Sequence, residues 1–454
     1  MKQSIFVLFQ YGVLLCLLYT PSIAVFYMYI TTEPESSNSL AGLRLIIILL
    51  LAPIFAKYVV QLCTAPFYSL AGRIRQAKGG CPSEATVSVL IPAWNEEVGV
   101  LKTLQSVLDT QYRHLEVIVI NDGSTDATHE LVTGFVKEYE AHNQSNTKIK
   151  YLYLPNGGKA KALNRGLTLA DGEFILTIDA DSVMDKAAIV NIMKQFTDNE
   201  VAAVAGNVII GNRKKPIEVM QQLEYLYGFF FKRADSLFNS VYIIGGAAAA
   251  YRKNVLMELG GFDHDIITED IEMSTRILAH GYKTRYAADA VVYTEGPASW
   301  TGLCNQRLRW KYGRLLTFIK HRKLFFSCNK KHNVYLTFLL LPVAVYAELA
   351  LLFEAVLLTI FYGYTIYTSD YLPLAILILF ISSVIALQIV IDPMSRFHRN
   401  LLVLAPVAWI IFYIIDVVEF QALCRSLKRL LKREELTWQK WVRVGLLSDP
   451  VIAK

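Results

Sequence analysis

The sequence predicts an α/β domain built on a parallel sheet and set between two groups of membrane-spanning helices. Short apolar runs alternate with helical patterns from residue 86 to residue 178, the signature of a parallel sheet covered by helices on both faces. Long segments almost free of charge flank the globular region on both sides. The apolar runs all end in polar stretches rich in Asn, Asp, Glu or Gly, where ligands bind beyond the carboxyl ends of strands in such sheets.

The flanks follow from composition. The 454 residues are 54% hydrophobic and 19% charged, with a mean hydropathy of +0.36, which points to a membrane portion. Segment 4 to 30 is uncharged, and 45 to 70 carries only Lys57. Each exceeds the roughly 20 residues that cross a hydrocarbon core as a helix. The first is too long for a signal peptide and lacks a small-residue cleavage site. Further spans are expected at 335 to 362, 372 to 392 and 401 to 423. The expected organisation is two N-terminal transmembrane helices over 1–71, a globular domain over 72–330 with interfacial helices at its end, C-terminal transmembrane helices over 331–425, and a basic amphipathic tail over 426–454.

Charge sets the orientation. Loop 31 to 42 has no Lys or Arg, whereas Arg73, Arg75 and Lys78 follow the second span, so the globular domain is expected on the cytoplasmic side. Three C-terminal crossings would then leave the tail outside, although its basic run 425 to 443 belongs inside. Either one candidate is re-entrant or the tail breaks the rule. The net charge of +6 clusters near membrane edges and suits anionic lipid headgroups better than nucleic acid. Cys16, Cys63, Cys81, Cys304, Cys328 and Cys424 show no paired spacing, so neither a disulfide framework nor zinc is expected.

The strands read as "TVSVLI" (86 to 91), "LEVIVI" (115 to 120), "IKYLYL" (149 to 154) and "FILTI" (174 to 178), with helices from about 97, 126 and 159. Their carboxyl ends are "PAWNEE" (92 to 97), "NDGSTD" (121 to 126), "PNGGKAKALNRG" (155 to 166) and "DADS" (179 to 182). Asp179 and Asp181 can close a strand as an ordinary Asp-rich turn. Two such close carboxylates are also what a chain keeps when a cation or proton lies between them. The Gly157-Gly158-Lys159 turn can present N–H groups and a cation to an anion. Joined, these features suit Mg²⁺ or Mn²⁺ bridging carboxylates and a diphosphate, with Asp122 placed to hydrogen-bond a base.

Further along, "ITEDIEMSTRILAHGY" puts Glu269 and Asp270 at a helix N-terminus, with Met273, Ile277 and Leu278 as its apolar face. Acids favour that position through the helix dipole alone, and a carboxylate near an acceptor hydroxyl can also take its proton. "NQRLRWKYGRL" opens a basic amphipathic helix of the kind that lies at a membrane surface. The small-residue run "IGGAAAAYR" (244 to 252) either packs tightly or leaves room for a sugar.

The ordered set "IPAWNEE", "VINDGSTD", "GGKAKALNRG", "DAD", "ITED" and "QRLRW", flanked by membrane spans, resembles the processive, membrane-embedded family 2 glycosyltransferases. These make cellulose, hyaluronan, chitin oligomers and poly-N-acetylglucosamine. "GGFDHDIITEDIEMS" looks most like the bacterial poly-β-1,6-N-acetyl-D-glucosamine synthases. The resemblance implies a cytoplasmic GT-A (Rossmann-like) glycosyltransferase domain inserted between the N- and C-terminal transmembrane helices. It implies a UDP-sugar donor, above all UDP-N-acetylglucosamine, a growing β-linked exopolysaccharide as acceptor, and Mg²⁺ or Mn²⁺ on Asp181 assisted by Asp179. Asp122 would hold the uracil, Lys159 would lie near the nucleotide, and Asn95 and Glu96 would belong to the substrate edge. Asp270 would be the general base with Glu269 beside it, and Gln306, Arg307, Arg309 and Trp310 would line the acceptor and diphosphate end. Membrane lipids and a small membrane accessory subunit are candidate partners in the bacterial plasma membrane.

Other readings stay open at this point: transfer of one sugar to a lipid carrier, a synthase using UDP-glucose, or a transporter with a nucleotide-binding domain. The last would use Glu348, Glu354, Asp416 and Glu419, acids within or near apolar segments.

Overall fold

The computed structural model describes residues 38–80, 82–142, 147–434, 436, 443, 445 and 446, with side chains from Leu49 onward. The expected span 4 to 30 and most of the tail past 434 lie outside the described residues. Helix α1 (Asn38–Thr64) passes through a 3-10 turn into α2 (Tyr68–Lys78), which delivers the chain to the globular domain.

That domain is an eight-stranded sheet in the order β3-β2-β1-β4-β7-β6-β8-β5. β1 (Val87–Ala93), β2 (Leu115–Asp122) and β4 (Phe174–Thr177) are buried, as their continuous apolar runs require, and β3 (Lys148–Leu154) forms one edge. These four are parallel, with Val87 opposite both Leu115 and Phe174, and Glu116 opposite Lys148. The other half of the sheet departs from the all-parallel expectation. β7 (Ala249–Arg252) enters antiparallel between β4 and β6 (Val201–Ile210), β6 runs parallel to β8 (Lys283–Thr294), and β5 (Val183–Met184) pairs antiparallel with β8. β7 is the four-residue end of the small-residue run, too short to announce a direction of its own.

The sheet is buried on both faces. On one, Val87, Val89 and Ile91 pack under α3 (Val100–Leu108), α4 (Thr128–His142) and α6 (Ala188–Met193) through Leu104, Val107, Val132, Ile189 and Ile192. On the other, Leu90, Ile118 and Ile120 meet Leu163 and Leu167 of α5 (Lys159–Leu169), Val255 and Leu256 of α8 (Lys253–Glu258), and Met273 and Ile277 of α9 (Glu269–Ala279). Period-two alternation divides Leu90 from Val89 and Ile91 in this way.

Among the described residues, four helical segments are long and apolar enough to cross a membrane: Leu49–Lys78, Tyr335–Thr368, Leu372–Ile391 and Arg399–Lys432. The last is a 3-10 stretch (Arg399–Val407) followed by α13 (Ala408–Lys432), after α11 (Leu341–Thr368) and α12 (Leu372–Ile391). It starts and ends against the globular domain. The Phe397 ring lies 5.6 Å from that of Tyr293 of β8, the Ser382 hydroxyl on α12 donates to the Ala405 carbonyl, the Tyr362 hydroxyl on α11 donates to that of Tyr413, and the Tyr312 hydroxyl donates to the Glu434 carbonyl. The end of α13 thus lies against the globular domain, and Leu446 of the tail packs on Ile209, Val291 and Tyr293 of the sheet.

Helix α10 (Trp300–Lys320) fastens these helices to the domain through ion pairs. Arg307 binds Glu224 of α7 (Pro216–Leu237) with two bonds of 2.6 Å and lies 3.6 Å from Glu419. Lys311 reaches Glu348 at 2.8 Å and Glu419 at 2.6 Å, and Arg314 also binds Glu348. Two acids of the apolar helices, Glu348 and Glu419, thus pair with cations of one helix. Such pairs add little net stability, but losing one partner strands a buried charge, so they hold the helices in place.

Candidate active site

The carboxyl ends of β1, β2 and β4 meet as the alternation requires. Asn95 takes a left-handed conformation (φ 54°), which Asn tolerates better than most residues. Its Oδ1 accepts the Thr125 N–H at 2.7 Å, and its own N–H donates to Ser124 Oγ at 2.9 Å, tying the loops after β1 and β2 together. The Glu96 N–H donates to Thr128 Oγ1 at 2.8 Å.

Asp122 accepts the N–H groups of both Gly157 and Gly158, each at 2.8 Å. The anion presented to the Gly-Gly turn is this carboxylate. Its two oxygens hold that loop, so in this conformation a base at Asp122 would have to share atoms already engaged. Burial raises the Asp122 carboxyl, against the two N–H groups and Lys161.

Beside it, Lys159 opens α5 and reaches across to two other elements. Its Nζ lies 2.6 Å from Asp179 Oδ1 and 3.1 Å from Glu269 Oε1. Asp270 accepts the Gly246 N–H at 2.8 Å. A Cβ at Gly246 would stand 2.6 Å from Lys159 Nζ, 3.6 Å from Asp270 Oδ2 and 3.7 Å from Asp179 Oδ1. Residues far apart in sequence converge on one point, and Gly246 is the space between them. Burial pulls the Lys159 ammonium down, but the carboxylates of Asp179, Glu269 and Asp270 outweigh it and hold its pKa above the ordinary value. Burial pushes Asp179 up, and Lys159, Arg443 and Arg309 prevail and keep it low. Glu269 goes the other way, raised by burial and by Asp270 despite Lys159.

Asp181 is nearly buried, with its Oδ1 3.1 Å from the donating Ser182 hydroxyl and its Oδ2 2.5 Å from Arg443 Nη1. Arg443 Nη2 is also 3.3 Å from Glu96 Oε1. On α10, Arg309 lies in the field of Glu269, Asp179 and Asp270, which counter the lowering of its pKa by burial. Gln306 is buried, and its Oε1 has no hydrogen-bond partner among the described residues. Trp310 is half-buried, with its ring 6.3 Å from that of Tyr225 and the Arg307 guanidinium 4.5 Å above it. Arg307, expected at the acceptor end, has its guanidinium bonded to Glu224 and 3.6 Å from Glu419, so it also fastens helices together.

Sequence reasoning missed Arg443, Gly246 and Glu272. Glu272 accepts from Arg276, lies 2.9 Å from Lys320 and 3.0 Å from His321, and so clamps α9 to the end of α10. Its place four residues before Arg276 was the one local signal.

Residues 82–313, just over half of the chain, match the family model described as glycosyltransferase like family 2. The chain belongs to that family. A Staphylococcus epidermidis protein named poly-β-1,6-N-acetyl-D-glucosamine synthase is 35% identical over 231 residues, 50% of this chain and 54% of that one. A protein of the same name from Staphylococcus aureus strain COL is 34% identical over 230 residues, again 50% and 54%. The match thus spans about half the length of these curated relatives. The solved mannosyltransferase PcManGT from Pyrobaculum calidifontis, in complex with GDP-Man and Mn²⁺, superposes with a TM-score of 0.50 over 85% of this chain and 100% of its own, at 20% identity. The glycosyltransferase therefore has the GT-A fold, flanked by apolar helices.

The donor atoms of this glycosyltransferase suit a hard divalent cation. Asp179 and Asp181 offer carboxylate oxygens from one short loop, and the Ser182 hydroxyl orients the Asp181 carboxylate. The Lys159 and Arg309 cations stand on the same edge, where negative charge from a diphosphate would be balanced.

Proposed function

We propose that this glycosyltransferase is a processive, inverting enzyme. It polymerises a UDP-sugar, UDP-N-acetylglucosamine above all, into a β-linked exopolysaccharide and passes it across the bacterial plasma membrane from a cytoplasmic site. The observation that carries the reading is the convergence of Lys159, Asp179, Glu269 and Asp270 on Gly246 at the carboxyl edge of the strands. The names of the matched relatives support the product class.

In this reading the acceptor hydroxyl attacks the anomeric carbon of the donor. The bond from that carbon to the diphosphate oxygen breaks, and the hydroxyl proton passes to Asp270. Displacement in line inverts the carbon, so an α-linked donor gives a β-linked product. Asp181 and Asp179 would hold Mg²⁺ or Mn²⁺, which when bound offsets charge on the leaving diphosphate. Lys159 and Arg309 oppose the same charge. Trp310 offers a flat apolar face to the terminal sugar, and Gln306 an acceptor oxygen. Residues 72–330 form the catalytic unit, 1–71 and 331–425 the membrane portion and 426–454 the tail.

The test is to offer each UDP-sugar in turn, with Mg²⁺, to the full-length enzyme in membranes and to size and analyse the product. A long β-linked polymer from UDP-N-acetylglucosamine is expected. A single sugar on a lipid, or a polymer formed from UDP-glucose alone, overturns the assignment.

A further inference from the structure

The tail has a built seat beside the donor site. Leu446 is buried among Ile209, Val291, Tyr293 and Phe397, and a Cβ at Gly211 would come within 2.6 Å of its side chain. Its carbonyl accepts from Lys102 Nζ at 2.5 Å, and the Gly445 N–H donates to Glu295 Oε2 at 2.9 Å. Gly445 has φ 82° and lies so close to Val98 that a Cβ would meet its Cγ1 at 2.9 Å, so glycine fits this turn as few residues could. From this seat Arg443 reaches Asp181 at 2.5 Å and Glu96 at 3.3 Å.

Arg443 therefore neutralises the carboxylate to which the proposed function gives the metal. A divalent ion and a guanidinium on one carboxylate oxygen repel each other unless an anion lies between them. A diphosphate is such an anion, and guanidinium groups bind phosphate oxygens in pairs. We propose that Arg443 is a built-in counter-ion of the donor site, which holds Asp181 and Glu96 when no donor is present and moves off Asp181 onto the nucleotide's diphosphate when donor and metal enter. The inference rests on the metal role given to Asp181 above. It makes Arg443 a competitor of the metal before donor binding and a ligand of the donor afterwards. Its seat on Leu446 lies outside the reacting centre, so the two roles can be separated by substitution.

The experiment measures Mn²⁺ binding to the full-length enzyme by electron paramagnetic resonance, first without nucleotide and then with UDP. Arg443→Ala should bind Mn²⁺ about tenfold more tightly without nucleotide, and in the presence of Mn²⁺ should bind UDP about tenfold more weakly. Leu446→Ala, which unseats the tail and keeps every donor-site residue, should shift both affinities in the same directions. A merely structural Arg443 would not tighten metal binding. If Asp181→Asn abolishes Mn²⁺ binding while both tail variants bind it like the wild type, the counter-ion role is overturned and the metal reading stands. If Asp181→Asn binds Mn²⁺ normally, the metal reading itself fails and this inference falls with it.

Discussion

The backbone N–H of Gly246 donates to the Asp270 carboxylate at 2.8 Å, and the side chain that Gly246 lacks would occupy the place of the Lys159 ammonium. One glycine thus sets the position of the proposed base and leaves room for the cation beside it.

Gly246→Ala should fold and transfer poorly. The added methyl meets the far end of a flexible lysine, which can move, so the cost falls on the Lys159–Asp179 pair rather than on the sheet. A misplacement of this size near reacting groups lowers turnover by roughly 10- to 100-fold. Steady-state kinetics together with a melting curve check this, and a variant that melts like the wild type and turns over normally would refute the role of the gap.

Asp270→Asn keeps the shape and an oxygen for the Gly246 N–H, but loses the base. Transfer should fall by at least about 100-fold while UDP binding survives. Calorimetric titration with UDP alongside turnover separates the two, and parallel loss of both would make Asp270 a structural residue.

Glu272 predicts a pH dependence of stability. Burial raises its carboxyl, but His321, Arg276 and Lys320 overcome this and lower it to about 2. A depressed carboxylate stabilises the fold fully above its unfolded value and loses that contribution as pH falls through the folded one. The contribution is on the order of 3 kcal/mol. Glu272→Gln should therefore melt well below the wild type at pH 6, and the gap should narrow as pH falls from about 4.5 towards 2. A gap that does not change with pH would contradict the clamp.

Glu348→Gln should destabilise the membrane portion without touching the donor site. It removes the carboxylate shared by Lys311 and Arg314. Lys311 keeps Glu419, but Arg314 loses its Glu348 partner, and breaking a buried pair costs about 3 kcal/mol or more. Thermal unfolding in detergent should show the loss while the fraction that remains folded binds UDP normally, whereas reduced UDP affinity in that fraction would tie Glu348 to the site.

Much of the fold was legible because strands and helices write their period into adjacent residues. β1, β2, β3 and β4 fall where "TVSVLI", "LEVIVI", "IKYLYL" and "FILTI" place them, and α5 opens at Lys159 and α9 at Glu269 as read. α3 begins only at Val100, because Glu96 to Gly99 form a turn in which the Glu96 carbonyl accepts the Gly99 and Val100 N–H groups at 3.1 and 3.0 Å. The antiparallel entry of β7 was not legible, since a four-residue strand carries no directional pattern.

What the sequence determined by itself was local: apolar segments long enough for a bilayer, an alternating α/β block, and the residue types at each strand end. Their order along the chain brought Asp179, Asp181, Lys159, Glu269 and Asp270 into one reading. The tertiary structure alone decided which charges meet. It turned Arg307 to Glu224 and Glu419, gave both oxygens of Asp122 to the Gly157-Gly158 turn, brought the end of α13 to Tyr312, and laid Arg443 against Asp181. The physical reason is range. A period of two or of 3.6 residues is set by neighbours in the chain, whereas an ion pair between residues 181 and 443 depends on where two distant segments are packed, which no short stretch of sequence records.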